Sequence, residues 1–214
     1  MAKSNKTIIK FSLAVTAVLI AVISSTIIST YLGDKATESI RIKIKEVNGS
    51  ESTKLKSYKI LDVEINSPAE FKKDDLKLSK EQLIKMGIAS SEAYSANYSK
   101  STSESVVLSV SKQVHKSNIQ FDPESARIET ANKWKSSLKL SNIKEQNKLI
   151  SINEKKCNRT LIEGALDGIG PQMEITLITY HNKNTFWMIQ IVLTKNNKLD
   201  ASEIIQSLRF TTTQ

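Results

Sequence analysis

ITLITYHNKNTFWMIQIVL, residues 175–193, decides how this chain folds. Ile175 to Tyr180 is rich in β-branched and aromatic residues, Asn182-Lys183-Asn184 supplies turn chemistry, and Thr185 to Leu193 is β-rich again. That order predicts a hairpin. On the return strand Trp187, Ile189, Ile191 and Leu193 share one face, and Phe186, Met188 and Val192 share the other. Both faces are apolar, so this strand belongs in the middle of a sheet with a layer on each side.

The pattern extends outward in both directions. Downstream, Lys195-Asn196-Asn197-Lys198 reads as a turn into a helix capped by Asp200, with Glu203 three residues on and Ile204, Ile205 and Leu208 on its buried side. Upstream, short strands are expected at Leu149 to Asn153 and Arg159 to Glu163. Before them, Asp122-Pro123-Glu124 combines an acidic N-cap, proline at the first helical position and an acid in the first turn. Ile128, Ala131, Trp134 and Leu138 then make an apolar stripe at helical spacing, with Lys133, Lys135 and Lys139 on the other faces. Val106, Leu108 and Val110 alternate with Val107, Ser109 and Ser111, a strand reaching Val114. The serine-rich run SEAYSANYSKSTSES before it reads as an exposed strand and turn or as a loop.

Ser79 to Met86 reads as a short helix with Gln82 completing a capping box and Gly87 at its end. Tyr58 to Ile65 reads as one strand ended by Pro68, with Leu61, Val63 and Ile65 on one side. Within residues 33–56, Ile40, Ile42 and Ile44 alternate with Arg41, Lys43 and Lys45 up to an Asn48-Gly49-Ser50 turn, either an edge strand or a juxtamembrane linker. Strands joined by short turns, with a long helix among them and a helix at the end, give an α+β domain over 57–214: an antiparallel sheet with packed helices.

Ahead of that domain, Phe11 to Leu32 is a 22-residue run without a charge, preceded by a basic tail (residues 1–10) carrying Lys3, Lys6 and Lys10. A helix of that length is about 33 Å long and matches a bilayer core. An uncleaved transmembrane signal anchor is the first reading. A cleaved signal peptide and a wrapped core helix are the alternatives. The only cysteine, Cys157, is far from the N-terminus, which argues against a lipoprotein. Lys35, Arg41, Lys43 and Lys45 follow the span, so charge counting alone leaves its orientation open, while the short basic tail favours an extracytoplasmic domain. The chain is basic, with 31 Lys and Arg against 22 Asp and Glu. Its 39% hydrophobic content excludes a disordered chain, and one cysteine excludes an internal disulfide framework.

Three segments carry a family resemblance: DPESARIETANKWKSSLKL, LISINEKKCNRTLIEGALDG, and ITLITYHNKNTFWMIQIVLTKNNKLDASEIIQSLRF. Over about residues 57–210 the chain resembles the PsbP-like fold, shared by the extrinsic photosystem protein and by bacterial envelope proteins of the DcrB type. It departs from the lipoprotein members in lacking a lipid-modified cysteine. The resemblance implies a binding role, in assembly or as an accessory or chaperone subunit, and carries over no catalytic residue.

Candidate chemistry is sparse. His115 and His181 have no histidine or cysteine neighbour at metal-ligand spacing and read as exposed loop histidines. Cys157 sits among Lys155, Lys156 and Arg159, which would favour its thiolate, against the plainer reading of an incidental turn cysteine. Gly164, Gly168 and Gly170 do not match a phosphate-binding loop and indicate a turn. Acids cluster at Asp74-Asp75 and between Glu163 and Asp167, with nothing to select a catalytic pair. Lysines at 54, 56, 59, 72, 73, 77, 80 and 85 read as a solvated surface or as a patch for anionic lipid or polymer. Trp134 and Trp187 read as core residues. Asn48, Asn97 and Asn158 begin glycosylation triplets. The expectation is therefore a single-pass membrane protein with an extracytoplasmic, non-catalytic protein-binding domain, without cofactor, metal or nucleic acid. A hydrolase with a site assembled only in space, or a basic lipid or polyanion binder, is the alternative.

Overall fold

The computed structural model describes residues 54–75, 79–85, 87–101, 104–168, 170–195 and 199–211. The basic tail, the Phe11–Leu32 span and the Ile40–Lys45 alternation lie outside the described residues. In chain order the elements are β1 (Lys56–Ile60), β2 (Val63–Ser67), β3 (Lys72–Lys73), α1 (Lys80–Lys85), β4 (Ile88–Ser101), β5 (Glu104–His115), α2 (Pro123–Ser137), β6 (Ser141–Ile152), β7 (Lys155–Ala165), a 3-10 turn (Leu166–Gly168), β8 (Gln172–Asn182), β9 (Thr185–Thr194), α3 (Ala201–Ser207) and β10 (Arg209–Phe210). The architecture is α+β. A seven-stranded antiparallel sheet runs β3-β4-β5-β9-β8-β7-β6, and a small sheet runs β1-β2-β10.

The expected hairpin is β8 and β9. Asn182 pairs with Thr185, so its turn is the two residues Lys183-Asn184. β9 lies between β5 and β8, and every residue from Phe186 to Thr194 is buried. Its two faces meet different layers. Trp187, Ile189, Ile191 and Leu193 join Leu108, Val110 and Ile178 against Val63, Ile65 and Phe210 of the small sheet and Ile204 and Leu208 at α3. Across the sheet, Val192 joins Ile162, Ile175 and Leu177 with Ala131, Trp134 and Leu138 at α2.

The helix signals hold locally. Ser79 N–H donates to Gln82 Oε1 at 2.7 Å, and Gln82 N–H donates back to Ser79 Oγ at 3.2 Å. Asp122 Oδ1 accepts from the Glu124 and Ser125 amides at 3.0 and 3.3 Å, and Asp200 Oδ1 accepts from Ser202 N–H at 2.8 Å.

Three expectations are corrected. Tyr58–Ile65 is a hairpin, not one strand: Ile60 pairs with Val63, and Leu61 and Asp62 turn with φ of 49° and 67°. A left-handed leucine is costly, so no local signal marks this turn. Its stabilisation comes from elsewhere in the fold. Trp187 Nε1–H donates to Leu61 O at 3.0 Å, Thr211 N–H donates to Asp62 O at 2.8 Å, and Lys112 Nζ reaches Asp62 Oδ2 at 2.5 Å. Second, the stripe on α2 is rotated. Ile128 is exposed, while Ala126, Arg127 and Thr130 join Ala131 and Trp134 in the buried face. Arg127 turns inward because Glu124, Asn147 and Thr160 all bind its guanidinium. Third, β6 and β7 are much longer than 149–153 and 159–163. β6 is polar nearly throughout and shows no alternation for sequence to detect. The serine-rich run falls largely on β4.

Candidate functional site

Successive residues of strand β5 point to opposite faces of the sheet. Val106, Leu108 and Val110 enter the apolar layer beneath the small sheet. Ser109, Ser111, Gln113 and His115 therefore occupy the other face. Such a register ordinarily faces water. Here it is covered: Ser109, Gln113 and His115 are each 1% accessible and Ser111 is 3%.

Pairing extends this polar strip sideways. Ser91 and Ser95 of β4 stand opposite Gln113 and Ser109. Phe186, Met188 and Gln190 of β9 stand opposite Gln113, Ser111 and Ser109 on the other side. Helix α2 packs over β8 and reaches β9. Ala126 clusters with Phe186 and Met188, and Trp134 Nε1–H donates to Gln190 Oε1 at 2.7 Å. Eight helical residues rise about 12 Å and four strand residues about 13 Å, so the two run in step. One flank of α2 faces β6 and β7, where Arg127 meets Asn147 Oδ1 at 2.6 Å and Lys135 meets Glu145 at 2.9 Å. Helical geometry places Glu129 and Lys133 on the opposite flank, toward β5 and β4. Just beyond β3, Asp74 reaches the far margin, where its Oδ1 accepts from Ser95 Oγ at 2.7 Å.

Within this strip the polar atoms divide into two kinds. Gln190 is bonded to Trp134, and Ser111 Oγ donates to Met188 O at 3.4 Å. Asp74 Oδ2, Ser91 Oγ, Ser109 Oγ, Glu129 Oε2, both amide atoms of Gln113 and both ring nitrogens of His115 are buried without a hydrogen-bond partner among the described residues. Leaving one buried polar group unpaired costs about 1–3 kcal/mol. The margin of this strip reaches solvent, since Asp74, Ser91 and Glu129 are only half-buried.

Electrostatics follow from this burial. Desolvation raises the carboxyl pKa of Asp74, partly offset by the Ser95 hydrogen bond, and desolvation alone raises that of Glu129. Burial, with a smaller contribution from His181, lowers His115 to about 4, so the ring is neutral at physiological pH. Lys133 is lowered by burial. The His115 ring stacks on Phe121 with centroids 4.1 Å apart.

The residues singled out from sequence fall as follows. His115 is not an exposed loop residue but a buried strand residue at the end of this strip; His181 is exposed, with Phe121 between them. Cys157 is buried in β7, not on a turn, and burial raises its thiol to about 11, outweighing Lys155. Its cationic neighbours therefore do not make it reactive. The acid clusters do not converge: Glu163 pairs with Lys195 at 2.7 Å, Asp167 with Lys139 at 3.7 Å, and Asp74 belongs to the strip. Gly164 lies in β7, and Gly168 and Gly170 belong to the turn after it, where a Cβ on Gly170 would meet Leu166 O at 2.5 Å. Lys54, Lys56, Lys59, Lys72 and Lys73 are exposed, as is Asn97; Asn158 is half-buried and Asn48 lies outside the described residues. Trp134 and Trp187 are buried on opposite faces of the sheet. Gln113, Ser109, Ser91 and Glu129 escaped the sequence reading because no motif marks them.

No family model matches the chain, and no curated protein matches it. Among solved structures, a segment resembles protein PA94 of unknown function from Pseudomonas aeruginosa, at 8% identity and TM-score 0.33, covering 66% of this chain and 83% of that one. LpqN from Mycobacterium tuberculosis, described as involved in cell envelope biogenesis, matches at 9% identity and TM-score 0.33, covering 75% of this chain and 81% of that one.

Proposed function

We propose that this chain is a membrane-anchored, extracytoplasmic, non-catalytic module with a PsbP-like domain that binds another protein in envelope assembly, maintenance or protection. The charge-free Phe11–Leu32 span behind a short basic tail supports the anchoring half. Strand β6 carries the binding half. It is 12 residues long, ends the strand order of the large sheet, and is exposed at every residue from Asn142 to Leu149. Leu149 is 71% accessible. Lys144 and Lys148 and the left-handed Asn142 beside the β-bulge discourage indiscriminate pairing along this edge. Its outer backbone groups accept one added strand. The partner that fits is an extended segment with acidic side chains opposite Lys144 and Lys148 and an apolar side chain over Leu149.

Photoreactive residues placed singly at 147, 148 and 149 of the full-length chain, in its native membrane, test this reading. An added strand gives crosslinks that step by one residue along a single peptide. Crosslinks scattered over unrelated proteins, or to lipid alone, overturn it. Intact-mass measurement of the same sample should show a chain that retains residues 11–32; a chain cut after them overturns the anchor.

A further inference from the structure

We propose that residues 40–47 of this chain add a fourth strand to the small sheet, antiparallel to β1, and so hold the domain on a short tether. Among the described residues, β1 ends the strand order of the small sheet. Ile60 and Val63 close a two-residue turn whose φ angles are 49° and 67°, so their backbone groups bond to each other. Pairing alternates from there, and the N–H and C=O groups of Lys59 and Ser57 point away from β2, to the open side. An open row of this kind accepts one more strand.

Side chains mark the same edge as incomplete. Tyr58 and Ile60 share the register of Val63 and Ile65, which are fully buried, yet both are only half-buried. At the other end of the small sheet Phe210 meets Tyr180 of β8, while Tyr58 meets Phe71 just ahead of β3. The open edge therefore lies over the β4 side of the large sheet. There Tyr94 and Tyr98 of β4 reach the same core and are again half-buried. A strand with one apolar face would cover both rows.

The chain carries such a segment a short distance upstream. Ile40, Ile42 and Ile44 alternate with Arg41, Lys43 and Lys45, and Asn48-Gly49-Ser50 provides turn chemistry before Lys54, where the described residues begin. A three-residue loop there sets Val47 opposite Glu51, Ile42 opposite Lys56 and Ile40 opposite Tyr58. This register meets both requirements at once. The isoleucines face the core beside Tyr58, and Arg41 stands opposite Ser57, whose backbone groups are open. The basic alternation argues against the other long edge, β6, where Lys144 and Lys148 would repel it. Because β1 runs toward the Leu61-Asp62 turn, its new partner begins at that end. On the anchor reading above, only residues 33–39 then separate the bilayer from the domain, about 25 Å at full extension instead of about 80 Å for 33–55.

The test uses the full-length chain in detergent, with Cys157→Ser to leave no other thiol and circular dichroism to check that it is folded. Ile42→Cys with Lys56→Cys places two thiols on a non-hydrogen-bonded pair, close enough to bridge, whereas Arg41→Cys with Lys56→Cys puts them on opposite faces. Mild oxidation should close the first pair roughly tenfold or more faster than the second. In the parent chain the Ser57 and Lys59 amides should be protected from hydrogen exchange. Ile40→Ser, Ile42→Ser and Ile44→Ser together should cut that protection roughly tenfold or more, while the Ile65 amide stays protected. Equal closure of the two cysteine pairs, or Ser57 and Lys59 amides that exchange like exposed backbone in the parent, overturns the proposal. For the tether, a dye on Lys183→Cys, in the β8–β9 turn at the same end of the domain, should transfer energy to labelled lipid headgroups of vesicles more strongly in the parent than in the triple serine variant. Equal transfer overturns it. The pairing measurements use neither residues 11–32 nor β6, so they fail separately from the anchor and from partner binding.

Discussion

Along strand β5 the two faces of the seven-stranded sheet differ sharply. Under the small sheet and α3, Val63, Ile65, Ile189, Ile191, Ile204 and Phe210 form an apolar layer. Under α2, the same strands β5 and β9 contribute Ser109, Ser111, Gln113, His115 and Gln190 to an equally buried layer. One face gains stability by removing hydrocarbon from water; the other forgoes much of that gain by burying groups that need partners. The second face keeps an apolar cluster of its own, with Ile162, Ile175, Leu177 and Val192 under Ala131, Trp134 and Leu138, so the contrast is confined to β5 and the part of β9 beside it.

The sharpest way to break this comparison is to cut a side chain from the apolar face. Ile189 is fully buried there, and Ile189→Ala should destabilise the chain by about 2–5 kcal/mol in denaturant unfolding. A loss no greater than that of a surface substitution would mean that Ile189 is not packed beneath the small sheet.

The next effect is on the polar face and depends on pH. His115 titrates near 6.5 when unfolded and at about 4 when folded. Between those values the unfolded state binds more protons, so this residue's contribution is full above pH 6.5 and is lost as pH falls toward 4. Asp74 and Glu129, raised by burial, act in the opposite sense, gaining stability as pH falls. Subtracting the profile of His115→Gln isolates the histidine. The difference should rise by roughly 3 kcal/mol across the window. A flat difference would mean that the ring is hydrated or paired in solution.

Two glutamines on the same strip then separate the partnered groups from the unpartnered ones. Gln190→Met strands the Trp134 indole N–H and should cost about 1–3 kcal/mol. Gln113→Met removes an amide with no partner among the described residues and should be neutral or stabilising. If both substitutions cost the same, the distinction between the two kinds of polar atom fails.

Legibility in the sequence followed the same division. β9 was readable because both its registers are apolar, which placed it centrally before any contact was known. The caps at Ser79, Asp122 and Asp200 were readable because each acts within three residues. What sequence concealed depends on distant groups. The Leu61-Asp62 turn is held by Trp187, Lys112 and Thr211, and the inward turn of Arg127 by Asn147 and Thr160. The strip was concealed most completely, since alternating valine and serine describes a water-facing strand unless a helix covers the serine register. His115 looked like a loop residue for the same reason.

The smallest expected change in stability lies at β6, where it separates folding from binding. Leu149 is mostly exposed and stands opposite Asn158 in the strand register. Leu149→Ser should leave denaturant stability within about 0.5 kcal/mol, because little hydrocarbon is buried there to lose. Crosslinking of the partner from position 147 in the same variant should nevertheless fall, because an added strand would have covered that leucine. Lys144→Glu and Lys148→Glu together should reduce it further by repelling an acidic segment, again with little effect on folding. A variant that keeps its crosslinks through all three changes would show that the partner does not lie along β6. A variant that loses stability instead would show that this edge contributes to the fold rather than to docking.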